Sequence, residues 1–494
     1  MKSQAGIWIN AGIILIILLS FFTFSENFYP LLNSDMAVNI LMTPVFSLPH
    51  DVYFWGQDRS GNLIPLIAHW FYQITGLQPV LIVSIVHYLI LSTGFWALTR
   101  FVKSGYGRMV LALAWFFPPW HFLEFLLILY GIQASCVILA LNFIDRSFSS
   151  KARWKCLALL SAGCCMFIVA VWVSDMALIS LFALLLMGGL YFCSAGKDPL
   201  KMLSWRGLQV PALTVLIWAV AGYFLLHYAK GVSTPVHAYD TGFLAPASGI
   251  ISNLHIVLDS VTWAFLFLPE NRIESVYAWG LLITFVFLVM NSTRKGKNRP
   301  GITSNPWFYF FLLEALLTLM AVVSSGWVAA NGAGRRYFTT CFISAMISLV
   351  LWLEHLPEGH MRNKFRLAVL IVVVIGSLSG SLRFYYPEFR PSRIRVISAL
   401  KYMGDIGLIA EYWNSYMSAS PDPMHIKATP HDKDYVRNPS LAREVLNQPK
   451  IYLIKDGWLD SFPDSIIQFG RTLRKKGHPF HIADAWLNRY EVVQ

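Results

Sequence analysis

Residues able to do acid–base chemistry are few in this chain, and they are gathered. Charged residues make up only 13% of its 494 positions, yet Asp35, Asp51 and Asp58 share the stretch NSDMAVNILMTPVFSLPHDVYFWGQDRSG (33–61). His50, Trp55, Gln57 and Arg59 accompany them. An aspartate in this setting could take the proton from an attacking hydroxyl or orient a polar substrate. The structural alternatives are plain. Asp35 could cap a short helix through 36–42, and Asp58 could pair with Arg59 to organise the loop; Asp51 has no such assignment.

Asp175 is more isolated, since no other charged residue occurs between Lys155 and Lys197. Its setting, Ser174-Asp175-Met176-Ala177, repeats Ser34-Asp35-Met36-Ala37, which is compatible with chance or with one capping device used twice. A different chemistry is offered by NGAGRRYF (331–338), where Arg335 and Arg336 precede Tyr337. Guanidinium forks match phosphate oxygens in bidentate fashion, and glycines let backbone approach a ligand closely. Snorkelling of both arginines to lipid headgroups is the structural alternative. His121, Glu124, His227, His237 and Asp240 are weaker candidates.

The elements that must position these residues are membrane helices. Hydrophobic residues reach 56% and the mean hydropathy is +0.53, and several apolar runs approach or exceed the roughly 18 residues needed to cross a bilayer. Backbone polar groups in lipid must be satisfied within the segment, so these runs are helices. We place the first at 7–24, retained because no A-x-A-like cleavage site follows it. Others fall near 78–99, 104–118, 121–143, 155–173, 176–194, 208–228, 275–291, 306–324, 337–354 and 366–382. That gives about eleven spans, with a tight turn at Pro118-Pro119-Trp120. NLIPLIAHWFYQIT (62–75) is too short to span and reads as an interfacial or re-entrant helix.

The net charge of +12 does not indicate nucleic acid, because no basic module of a known kind is present. Lys and Arg instead cluster in alternate loops: Arg100, Lys103, Arg108; Arg146, Lys151, Arg153, Lys155; Lys197, Lys201, Arg206; Arg294, Lys295, Lys297, Arg299; Arg362, Lys364, Arg366. The positive-inside rule places these in the cytoplasm. The N-terminus is then cytoplasmic, while the aspartate loop (25–61) and the tail lie outside. The cysteines sit in or beside apolar runs and read as small buried hydrophobes. No Walker A, G-x-S-x-G, H-E-x-x-H or C-x-x-C pattern occurs.

Residues 1–382 form the expected transmembrane domain. Residues 383–494 carry sixteen of the 39 Lys and Arg and lack a spanning run, so they read as a small α/β domain. Within it, 391–403 is amphipathic, 450–455 and 478–492 look like strands, and 440–446 and 464–476 look like helices.

The layout resembles the GT-C superfamily of integral-membrane glycosyltransferases, and more closely the bacterial polyprenyl-phosphate-dependent transferases that decorate lipopolysaccharide O-antigen. The resemblance rests on Asp35, WGQDRSGNLIPL (55–66), Arg335-Arg336-Tyr337 and IAEYWNSYMSAS (409–420). It implies an all-α polytopic fold with a small extracytoplasmic α/β domain in a bacterial inner membrane. It further implies a polyprenyl-phosphate-linked sugar donor, a glycan or lipid acceptor, and a direct displacement. Asp35 matches the first-loop acid that serves as catalytic base or orients the acceptor or a metal, and Asp175 matches a later outer-loop acid by position. Arg335, Arg336 and Tyr337 match the region that holds the carrier phosphate, and Asp51, Gln57, Asp58 and Arg59 are expected to line the substrate. The adjacent second acid of several members is missing here, so use of a divalent metal is left open. A transporter or flippase of lipid-linked sugars is the rival reading; it calls for charges near the bilayer midplane and repeated helices, of which Glu314 is the clearest instance.

Overall fold

A computed structural model describes residues 4–194, 209–233, 235–236, 244–293, 305–332, 334–356 and 359–493. His237, Asp240 and the basic clusters Lys197–Arg206 and Arg294–Arg299 lie outside the described residues. The fold class is the expected one: a predominantly helical chain of membrane type with a small C-terminal sheet domain. Eight described helices are long and apolar enough to cross a membrane, or nine if a bent pair counts as one span. The expected number was about eleven. Helix Leu129–Phe148 stands where a span was expected, but it carries Gln133, Asn142, Asp145 and Arg146 and is not among the eight.

The chain divides into two compact units. The first comprises Met1–Ser20, Leu91–Tyr223 and Tyr239–Glu388. Here the Pro118-Pro119 turn does break the helix. Gly105–Phe116 ends before it, and Trp120–Leu127 resumes at a bend of 70°. The break is locked by aromatic packing, with Trp115 against Phe125 at 4.8 Å and Phe95 against Phe116 at 5.4 Å. Helices Arg272–Thr293 and His360–Tyr385 pack through small residues, as membrane helices often do: a Cβ on Gly376 would stand 2.5 Å from the Tyr277 ring. Helix Ala247–Phe265 was not anticipated, because Ser252, Asn253, His255 and Asp259 interrupt its hydropathy.

The second unit comprises Phe21–Ile90, Phe224–Ala238 and Phe389–Gln494. Helix Leu63–Thr75 leaves Trp70, Phe71 and Ile74 exposed, the apolar face expected of an interfacial helix. Glu26 and His87 form a buried pair at 2.7 Å, with side chains 3% and 2% exposed. Removing one partner leaves the other a buried polar group without its hydrogen bond, so Glu26→Ala should cost about 1–3 kcal/mol in unfolding experiments.

The tail folds as a six-stranded sheet, β1 (Ile406–Ala410), β2 (Ile426–Pro430), β3 (Ile451–Lys455), β4 (Ser465–Gln468), β5 (Arg471–Ile482) and β6 (Ala485–Val493), in the order β2-β1-β3-β6-β5-β4. β1 pairs in parallel with β2 and β3, and the remaining pairs are antiparallel. Parallel neighbours need crossovers; helices Tyr412–Ala419 and Pro439–Leu446 supply them. Every β1 residue is buried, as a central strand covered on both faces requires. The strand at 451–455 and the helix at 439–446 are where the sequence put them.

The helix expected at 464–476 is instead the β4–β5 hairpin. Phe469 and Gly470 both have positive φ, 50° and 72°, the two-residue turn whose twist suits paired strands. Ala483 and Asp484 (φ 52° and 61°) repeat the device between β5 and β6.

Candidate functional site

Helix Ser34–Val45 starts where Asn33 Oδ1 accepts the Met36 N–H at 3.1 Å. Asn33 is therefore the cap, and Asp35 sits in the first turn with its side chain turned to other partners. A carboxylate there is favoured by the unpaired N–H groups of the helix start. Asp35 Oδ1 accepts from the Tyr412 hydroxyl and from Arg437 Nη2, the latter at 3.1 Å. Ser34 Oγ donates to the Tyr412 carbonyl. Among the described residues Asp35 Oδ2 has no hydrogen bond, and the side chain is 27% exposed.

Tyr412 and Arg437 follow the carboxyl ends of β1 and β2. The backbone there is tied by half-buried acids. Asp434 Oδ2 accepts the Tyr412 N–H at 2.7 Å, and Asp456 Oδ2 accepts the Glu411 N–H at 3.1 Å and Asn414 Nδ2 at 3.0 Å. Burial, followed by the nearby Glu411 charge, pushes the Asp456 carboxyl upward. Burial also drives the Tyr412 phenol well above its ordinary range, the Asp35 charge adding to it and Arg437 opposing it. Tyr412 therefore stays a neutral donor.

Asp51 is the fastener of the first loop. Its oxygens accept Ser47 N–H at 2.8 Å, His50 Nδ1 at 2.9 Å and Trp55 Nε1 at 3.3 Å, while its carbonyl accepts Asn62 Nδ2 at 2.8 Å. Asp58 is exposed, and Gln57 and Arg59 are half-buried; the organising part foreseen for Asp58 is played by Asp51. Gly56 (φ +70°) lets the loop turn, and a Cβ there would lie 2.9 Å from the Arg437 carbonyl. Gly56→Ala should thus cost more than the about 1–2 kcal/mol of left-handed strain, read as a lower melting temperature. Beside the loop, a cavity of about 190 Å³ is lined by Leu41, His50, Trp55, Lys427 and Glu444 among others.

In the other unit, Arg335–Phe338 forms a short 3-10 turn ahead of helix Thr339–His355. A chain of hydrogen bonds fixes Arg335. Asn271 Nδ2 donates to the Trp263 carbonyl at 3.1 Å, which turns Oδ1 toward His121 Nε2 at 3.0 Å. That partner holds the proton on Nε2 and leaves the Nδ1 lone pair for Arg335 Nη1, 2.6 Å away. The Arg335 guanidinium lies 5.1 Å from the Trp263 ring. Arg336 Nη2 donates to the Tyr337 hydroxyl at 3.2 Å, and Trp327 Nε1 donates to the same oxygen at 2.7 Å. Arg383 is paired with Glu274 at 2.9 Å. Among the described residues no carboxylate pairs with Arg335 or Arg336. Glu124 acts on both guanidiniums, and Glu274 on Arg335, through space only.

Asp175 is exposed in the turn before helix Ala177–Ser194; Ser174 Oγ, not Asp175, accepts the Met176 N–H at 3.3 Å. The two SDMA tetrapeptides are therefore not one device used twice. Glu124 and His227 are exposed.

No protein-family model and no curated protein matches the chain. Among solved structures, ArnT from Cupriavidus metallidurans bound to undecaprenyl phosphate is similar at a TM-score of 0.53 and 10% identity, over 99% of this chain and 98% of that one. The fold is GT-C. The archaeal oligosaccharyltransferase AglB from Archaeoglobus fulgidus, in complex with an inhibitory peptide and a dolichol-phosphate, aligns at a TM-score of 0.44 and 12% identity, over 92% of this chain and 70% of that one.

In this chain the donor set at Asp35 does not suit a divalent cation. Oδ1 already faces a guanidinium, and among the described residues no group of three or more His, Cys, Asp or Glu could hold a metal ion. Sequence reasoning missed Tyr412, Arg437 and the His121–Asn271 relay. The first lay within a stretch singled out for its resemblance, and His121 was a minor candidate; Arg437 had no local signal.

Proposed function

We propose that the chain is a membrane glycosyltransferase that moves a sugar from a polyprenyl-phosphate donor to a glycan or lipid acceptor of the bacterial envelope. The observation that carries this reading is the ordered Arg335–Arg336 pair, which has no directly paired carboxylate among the described residues. The GT-C fold it shares with ArnT, solved with undecaprenyl phosphate bound, supports the same donor class. Asp35 is the proposed base. The acceptor hydroxyl attacks the anomeric carbon as its proton passes to the carboxylate. The bond from that carbon to the phosphate oxygen breaks, and the departing electron pair settles on a phosphate that Arg335 and Arg336 stabilise. Single displacement inverts the anomeric centre. Asp175 is the second acid proposed to orient the acceptor, and Asp51 maintains the loop that carries its neighbours Gln57, Asp58 and Arg59.

The positive-inside distribution supports a periplasmic reaction face, a cytoplasmic N-terminus and an external tail in a bacterial inner membrane; O-antigen or lipopolysaccharide is the proposed acceptor class. Glu314 would serve a transporter reading, being only 4% exposed within helix Pro306–Ser324. Its oxygens are already occupied by the Ser180 and Ser344 hydroxyls, which suits a structural part. Membranes containing the protein, supplied with candidate polyprenyl-phosphate sugars, should transfer label to envelope glycan or lipid. Export of intact lipid-linked sugar without transfer would favour the flippase instead.

A further inference from the structure

We propose that Tyr412 and Arg437, both from the C-terminal domain, are positioning residues that immobilise one oxygen of Asp35 and leave the other open to the acceptor. This rests on the transferase reading. The polarity of the contact is unambiguous. Arginine only donates, an ionised carboxylate only accepts, and the phenol has one proton. Arg437 Nε therefore donates to the Tyr412 oxygen, and Tyr412 donates to Asp35 Oδ1. Arg437 reaches the same Oδ1 through Nη2 at 3.1 Å.

Both holders are themselves held. The Arg437 side chain is only 12% exposed. Its guanidinium lies 5.1 Å from the Phe54 ring, 5.2 Å from Tyr412 and 6.0 Å from Tyr435. Its backbone N–H donates to the Tyr416 hydroxyl at 2.9 Å, and the close approach of Gly56 braces its carbonyl. Tyr412 is pinned at its N–H by Asp434 and at its carbonyl by Ser34. A carboxylate tethered at Oδ1 by two donors cannot rotate freely, so Oδ2 keeps a fixed direction. That is the geometric requirement for a base that must meet a hydroxyl. The sheet domain thereby contributes to the chemistry of the first loop rather than acting as a separate appendage.

The test uses the full-length protein. Tyr412→Phe and Arg437→Gln should each lower kcat about 10- to 100-fold while donor KM is unchanged, the effect of losing a charge-assisted hydrogen bond. Arg437→Lys should recover part of the loss. A merely structural role would lower the yield of folded protein and leave kcat per folded molecule at the wild-type value; that result overturns the proposal. A second readout does not depend on transfer. Carbodiimide-driven amine labelling of Asp35, mapped by mass spectrometry, should be several-fold faster in Arg437→Gln, because Oδ1 is released, and intermediate in Arg437→Lys, whose ammonium still donates to it. Equal rates in all three proteins overturn the proposal. Labelling that depends on Arg437 in a wild type that transfers no sugar overturns the transferase reading alone.

Discussion

Asp35→Asn is expected to lower sugar transfer by about 100-fold or more, the usual contribution of a general base. The substitution keeps the shape of the side chain and an oxygen that can accept from Tyr412, but it removes the charge and the basic lone pair. Arg437 remains enclosed by Phe54, Tyr412 and Tyr435, so the loop keeps its anchor. Transfer measured on membranes matched for folded protein checks the expectation. Wild-type turnover by a well-folded Asp35→Asn protein would remove Asp35 from the chemistry and leave its contacts as a fastening only.

The second large effect is expected at the arginines. Arg335→Ala combined with Arg336→Ala should raise donor KM on the order of a hundredfold, since each hydrogen bond to a charged group is worth about 1.5–3 kcal/mol. Acceptor KM should move little. Arg383→Ala is the informative control. Arg383 is already neutralised by Glu274 at 2.9 Å and donates to the Glu270 carbonyl at 2.8 Å. Its loss should therefore destabilise the protein more than it weakens the donor. Unchanged donor dependence in the double variant would mean that the pair serves lipid headgroups or packing.

The membrane part was legible because hydropathy is a local property: helices 153–173 and 306–324 begin and end within two residues of where the apolar runs do. Helix Ala247–Phe265 escaped because polar residues interrupt its run. Segment 464–476 misled for a different reason. Its alternation is that of a strand pair, but the turn uses Phe469, a residue with no turn preference, ahead of Gly470. The candidate site was half legible. Asp35 and the arginines announce themselves by charge in an apolar chain. Arg437 lies 402 positions from Asp35, and the contact exists only once the sheet brings the ends of β1 and β2 to the helix bearing the acid. Asp51 could not be told from Asp58 by sequence, because their difference is burial: Asp51 is 4% exposed and satisfied by donors from its own loop.

The central claim is that Arg335 and Arg336 hold the phosphate of a polyprenyl carrier. Native mass spectrometry of the purified protein with undecaprenyl phosphate, and separately with undecaprenol, tests it most directly. The account predicts an adduct with the phosphorylated lipid that undecaprenol does not form and that the Arg335→Ala, Arg336→Ala protein loses. Equal retention of both lipids, or an undiminished phosphate adduct on the double variant, would contradict it.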